Sequence, residues 1–326
     1  MKEFSIENLA RLTKEFKIAS GLKTDVHIEL LEKVKEYPDE VAVEIYNHFL
    51  TQETSPEILL YLVKTIAGYN RESSVDILIE LLLWKEKFSA SGKNSDDYIE
   101  LRSYIARVLG CSRNSKVTLP LLYTLNSKNE NYKLRLSCAD ALGQMGNSYA
   151  VGSLINVVAD NEEKSVYLRE TAAKALGKLR DIRAIEPLVS ILETKEGFVN
   201  KFSFFKERIV EALGNIGTQD KRSIKALKSA LLDESPYVRL SAIEALSKIE
   251  DEEEILPIIK ECLFDDNEEV ARSTVIALYN ISGSEILLEI LHDEKIPSVC
   301  KDEAKSIWEE YESDDNDEYE EEDCDE

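Results

Sequence analysis

Residues 134–143 read LRLSCADALG and residues 168–177 read LRETAAKALG. Both open on Leu-Arg, carry an internal alanine and close on Ala-Leu-Gly. Looking outward from this pair, the phrase recurs upstream as LRSYIARVLG at 101–110 and downstream as FKERIVEALG at 205–214 and VRLSAIEALS at 238–247, with a weaker ARSTVIALYN at 271–280. The leucines that mark its end, Leu109, Leu142, Leu176, Leu213, Leu246 and Leu278, are spaced by 33, 34, 37, 33 and 32 residues. A near-constant period of this length is the mark of a stacked array in which each unit is one supersecondary element.

Each phrase is helical. Leu168, Ala172, Ala175, Leu176 and Leu179 form one apolar stripe at helical spacing. The column Ala141, Ala175, Ala212, Ala245 and Ala277 allows helix backbones to approach closely, and alanine has the best intrinsic helix propensity. Gly146 and Gly217 stand where a helix C-terminus needs a left-handed residue. A second apolar segment then follows, as in TLPLLYTL, VGSLINVV and AIEPLVSIL, with Pro120, Pro187 and Pro257 expected in first turns. Pro56, Pro236 and Pro297 open first helices, with Ser55 and Ser235 as expected caps.

The unit is therefore helix A, turn, helix B, loop. It resembles HEAT repeats, in particular the PBS-lyase HEAT-like subtype. The resemblance rests on the Ala-Leu-Gly ends, the arginine six residues before the column alanine, and the acid or asparagine in the loop before it, and it is clear over about 101–291. It implies an all-α fold, an α-solenoid (superhelix) of about eight HEAT-like helix-pair repeats, with B helices lining the concave side. The expected organisation is an N-terminal capping helix at 1–23, the array at 24–295, a capping helix at 296–313 and a disordered acidic tail at 314–326. A polar insertion is expected around 85–96 and an aromatic one near 200.

Charge and composition narrow the function. The net charge is −24, and ten of the acids crowd into Asp314–Glu326. Nucleic-acid affinity comes mainly from clustered bases that release counterions, so no nucleic-acid partner is expected. The five cysteines are scattered without a CxxC pair, as in a reducing, cytoplasmic setting. No secretory signal or membrane span is read from the sequence. His27, His48 and His292 are not spaced as metal ligands, and His27 and His292 read as surface or helix-end residues. A HEAT-like di-iron hydroxylase carries His-Glu pairs, and this chain has no such dipeptide. Without a phosphate loop or nucleophile elbow, the expectation is no catalytic residue, no metal and no cofactor.

The charged column Arg102, Arg135, Arg169, Lys206 and Arg239 is structural under this resemblance, which implies that each base bridges to the acid of the preceding loop, Asp160, Asp233 or Asp265. The partner-binding candidates are the outward positions of the B helices, Lys116, Tyr123, Tyr149, Asn156, Arg183, Glu186, Lys225, Lys228 and Lys260, because tyrosine and arginine are frequent interface anchors. Phe198 and Phe204, in the aromatic insertion GFVNKFSFFKER, join them. The main expectation is a non-enzymatic scaffold or adaptor that holds a partner protein on its concave face, with the net charge favouring a basic partner. The alternative is a phycobilin-lyase-like or chaperone subunit acting on a cofactor-bearing protein. Such subunits share the repeat subtype and work as heterodimers. The oligomeric state is left open.

Overall fold

A computed structural model describes residues 11–16, 24–83, 95–194, 202–217, 220–249 and 252–322. All regular structure among the described residues is helical, and the chain divides into two compact units, Met1–Ala175 and Leu176–Glu326. The first unit holds α1 (11–16), α2 (Thr24–Glu32), α3 (Asp39–Gln52), α4 (Pro56–Tyr69), α5 (Val75–Leu83), α6 (Ser95–Ser112), α7 (Thr118–Asn126), α8 (Tyr132–Met145), α9 (Val151–Ala159) and most of α10 (Val166–Leu179). The second holds α11 (Ile185–Glu193), α12 (Ser203–Ile216), α13 (Lys221–Ala230), α14 (Pro236–Leu246), α15 (Glu252–Glu261), α16 (Glu268–Ser282), α17 (Glu285–His292) and α18 (Ser298–Glu322). From α2 to α17 the helices alternate A and B, which makes eight pairs.

Within the first unit the A helices α4, α6 and α8 pack in sequence, and so do the B helices α5, α7 and α9. In the second, α14 packs between α12 and α16. The Gly and Ala columns explain the A-layer spacing. A methyl group on Gly143 would lie 2.8 Å from the Ala175 Cβ, and one on Gly214 2.6 Å from the Ala245 Cβ. Neither contact leaves room for a side chain, so these helices touch through backbone.

The turns between A and B helices also follow from the sequence. A left-handed residue ends the A helix: Gly146 at φ 70°, and in other units Asn70 at 47°, Arg113 at 51° and Arg180 at 51°. Gly217 takes φ 148°, outside the left-handed helical well though still positive. The next residue caps a short 3-10 turn that leads into the B helix. Asn114, Asn147 and Asp181 each accept the backbone N–H two residues on. Pro120 and Pro187 are third residues of α7 and α11, as first-turn prolines should be. Pro257 differs, being the sixth residue of α15.

Ser55 and Ser235 make no capping side-chain bond. The acid two residues earlier substitutes: Glu53 Oε1 accepts from the N–H of Thr54 and Ser55, and Asp233 Oδ1 from that of Ser235. At the N-terminal end Leu12 and Phe16 of α1 are buried, and Phe16 stacks on Phe49 at 4.0 Å. At the other end Cys300 and Ala304 bury α18 against α16 and α17. Helix α18 runs to Glu322.

Candidate functional site

The charged column forms rungs, but they run forward rather than back. Arg102 is bidentate to Glu130, with Nη2–Oε1 at 2.9 Å, and its Nε donates to the Leu82 carbonyl at 2.7 Å. Arg135 repeats this with Glu163 at 2.6 Å and the Leu125 carbonyl at 2.8 Å. Lys206 pairs with Asp233 at 2.8 Å, and Arg239 with Asp265 at 2.7 Å. Each of these four bases thus takes the acid of the loop that follows its own helix pair, not the one that precedes it. The reason is local: the last turn of the preceding B helix offers the Arg column its carbonyls, Leu82 to Arg102, Leu125 to Arg135 and Val158 to Arg169 at 2.7 Å. Asp160 instead holds Lys128 at 2.6 Å and acts on Arg169 through its field. Glu130 and Glu163, absent from the expected set, complete the first rungs.

The B-helix positions divide in two. Tyr123 and Tyr149 are 66% and 82% exposed. Tyr123 lies on α7, whereas Tyr149, Lys116 and Arg183 fall in the 3-10 turns that lead into B helices and not on the helices themselves. Asn126 Nδ2 of α7 donates to Ser153 Oγ of α9 at 3.1 Å, and Asn147 Nδ2, ahead of α9, donates to Thr118 Oγ1 at 3.0 Å. Leu119, which the sequence did not single out, is 75% exposed on the same helix as Tyr123. Asn156 is exposed on α9. The bases, by contrast, are mostly engaged. Lys116 faces Asp76 at 3.4 Å, Arg183 holds Asp181 at 2.6 Å, Lys228 meets Glu254 at 2.6 Å and Lys260 meets Glu289 at 2.7 Å. Glu186 pairs with Arg222. Lys225 is exposed and has no ion pair among the described residues. The guanidinium of Arg183 holds the Asp181 carboxyl below its usual range. These bases therefore stitch neighbouring turns together and do not form an open basic patch.

Phe204 is half-buried with its ring 5.6 Å from that of Phe202, and Phe205 is fully buried. Phe198 lies outside the described residues. His27 is a correction: it is 4% exposed, 3.7 Å from Glu53 and against the Phe16 ring at 4.1 Å, not at the surface. Among the described residues no cluster of three His, Cys, Asp or Glu could hold a metal, and no helix is long and apolar enough to cross a membrane.

A cavity of about 520 Å³ opens in the first unit between α4, the start of α5, and α6. Ile66, Val75, Leu78 and Val108 form its apolar floor, and Tyr104, Arg107 and Arg71 stand around its mouth. It arises because the A-layer contact fails there. Ala67 stands three residues before the left-handed Asn70, where the other A helices carry Gly110, Gly143 and Gly177, so α4 lacks the glycine through which the later A helices touch. Val108 stands in α6 where later A helices carry the column alanine, and its branched side chain keeps the helices apart.

The family model for HEAT repeats matches residues 120–203 and 205–299, more than half of the chain. This chain belongs to the HEAT-repeat family. Its HEAT repeats are 33% identical over 139 residues to phycocyanobilin lyase subunit alpha of Picosynechococcus sp., an alignment covering 40% of this chain and 48% of that protein. They are 30% identical over 171 residues to phycocyanobilin lyase subunit alpha of Nostoc sp., covering 47% and 59%. The chain thus spans about half the length of the curated relatives it matches. Among solved structures, the karyopherin Kap121p bound to the extreme C-terminus of the protein phosphatase Cdc14p aligns with a TM-score of 0.55 at 14% identity, over 93% of this chain and 37% of that one. That likeness concerns the solenoid fold alone. The aligned curated relatives are lyase subunits, which overturns the expectation of a non-enzymatic scaffold or adaptor.

Proposed function

We propose that this HEAT-repeat chain is a lyase-type subunit that acts with a second protein on a cofactor-bearing protein. The observation that carries the proposal is the 33% identity over 139 residues to a phycocyanobilin lyase subunit alpha. The site chemistry is compatible with a binding and presenting role. Leu119, Tyr123 and Tyr149 offer an exposed apolar and aromatic edge, and such anchors suit a protein surface. The paired bases beside them argue against a contact held mainly by net charge.

The test is reconstitution. The purified chain, a candidate second subunit, free phycocyanobilin and an acceptor protein bearing a free cysteine are mixed, and chromophore retained on the acceptor in a denaturing gel is read by fluorescence. Attachment that needs both subunits supports the reading. Equal attachment with and without this chain, across acceptors of this class, would remove it.

A further inference from the structure

We infer that the cavity between α4, α5 and α6 is a binding site for a small amphipathic anion, a flat apolar body carrying one anionic group. This goes beyond the lyase-type reading and does not depend on it. Three departures from the repeat pattern meet at this one place. Ala67 replaces the column glycine, Val108 replaces the column alanine, and Arg71 stands at the turn position where Asn114, Asn147 and Asp181 cap the other units. Places where a sequence breaks its own structural rule tend to be functional.

The lining chemistry selects the ligand. A volume of about 520 Å³ lies within the range of small-molecule sites. In a chain with 64 acidic residues, not one Asp or Glu lines this cavity. Arg71 and Arg107 do line it, and neither has an ion pair among the described residues. The Arg107 guanidinium lies 5.3 Å from the centre of the Tyr104 ring, which leaves its edge N–H groups free to meet an anion. Inside, the hydroxyl of Ser74, a residue only 1% exposed, has no hydrogen-bond partner in the protein. A buried unpaired hydroxyl is costly, and a ligand oxygen or nitrogen would relieve it. The floor of Ile66, Val75, Leu78 and Val108 has no polar group to offer a bare inorganic ion, so the occupant needs an apolar body.

Cys111, exposed and without a disulfide, lies on the same cavity and reports on its occupancy. The probes are 8-anilinonaphthalene-1-sulfonate and its uncharged counterpart N-phenyl-1-naphthylamine. Fluorescence titration gives affinity and stoichiometry, and peptide mass spectrometry gives the rate at which iodoacetamide alkylates Cys111. One sulfonate probe is expected per chain, with Cys111 alkylation slowed when it is bound. The double variant Arg71→Ala/Arg107→Ala should weaken the sulfonate about tenfold or more and leave the neutral probe unchanged, since charge-assisted bonds are the strong ones. Arg71→Lys/Arg107→Lys should restore part of the affinity, with an unchanged melting temperature showing that the fold survives. Absence of sulfonate binding, equal binding by the alanine variant, or an unaltered Cys111 rate would each overturn the assignment. None of these results bears on chromophore attachment, so the two proposals fail separately.

Discussion

His27 is the fourth residue of α2, as Arg135, Arg169 and Arg239 are the fourth residues of α8, α10 and α14. Glu53 lies before α4 as Glu163 lies before α10. The histidine is thus the first member of the charged column, which no single-residue reading could show, because histidine type does not reveal burial. Desolvation lowers its pKa below the usual 6.5 and outweighs the raising field of Glu53. The folded state then binds the proton more weakly than the unfolded chain. Its stabilisation is complete above pH 6.5 and is lost as pH falls through that value toward the lower folded pKa. We expect melting temperature to fall between about pH 7.5 and pH 5.5, and the His27→Gln variant to show a smaller fall over the same range. An identical slope in both proteins would place the pH dependence elsewhere.

The arginines of the column were legible as structural, but their partners were not. Sequence places an acid in every loop and cannot say which of two neighbouring loops a side chain meets. The geometry makes the energetic difference explicit. Arg135→Ala strands the Glu163 carboxylate, whose side chain is 9% exposed, and should cost about 3 kcal/mol or more in chemical denaturation. Arg183→Ala breaks a pair whose arginine is 60% exposed, and should leave the denaturation midpoint nearly unchanged. Comparable losses in the two variants would contradict the distinction.

At the scale of elements, the A helices were the most readable part of the chain, because period, alanine column and glycine stop agree. The B helices were placed correctly by their apolar runs. The failures have physical causes. Pro257 was expected in a first turn, but α15 begins five residues before it, at Glu252. The cavity was invisible because it is made by small departures in two segments distant in sequence.

The glycine contacts give a paired test. Gly143→Ala forces a methyl group to 2.8 Å from Ala175 and should destabilise by about 1–3 kcal/mol. Gly68→Ala, with open space around it, should be neutral or stabilising by up to about 1 kcal/mol through helix propensity. Urea midpoints compare them directly. Destabilisation by both would mean that the close approach to Ala175 does not set the cost at Gly143.

For the whole molecule, fold and function differ in how far sequence carries them. The repeat fixes the solenoid, because each unit must bury its apolar face on its neighbours. Function is written instead in outward side chains that packing does not constrain. Tyr123 and Tyr149 are conspicuous as outward aromatic residues and are exposed in the structure, whereas most of the bases chosen beside them are engaged with acids. If the proposed edge meets a second protein, Tyr123→Ala/Tyr149→Ala should weaken the complex about tenfold or more without shifting the melting temperature, read by calorimetry of the reconstituted pair. Unchanged affinity would move the contact away from α7 and α9.

Forward pairing also makes the array modular in length. Three acids of the column serve both their own turn and the base one period upstream: Glu163 accepts from Ser165 N–H while holding Arg135, Asp233 from Ser235 N–H while holding Lys206, and Asp265 from Asn267 N–H while holding Arg239. One period can therefore be excised with the remaining column bases keeping their acids, the exposed Lys128 alone losing its partner Asp160. Removing residues 131–163 would join Glu130 to Lys164, so that the acid already bound to Arg102 takes over the turn before α10. Such a chain should unfold cooperatively, whereas a cut of half that length would leave Arg102 or Arg135 facing the wrong loop. The last position of the column is Ala271, a residue that asks for no acid beyond it. Duplication and loss of whole periods is thus the route by which a chain of this kind can change length while remaining folded at every step.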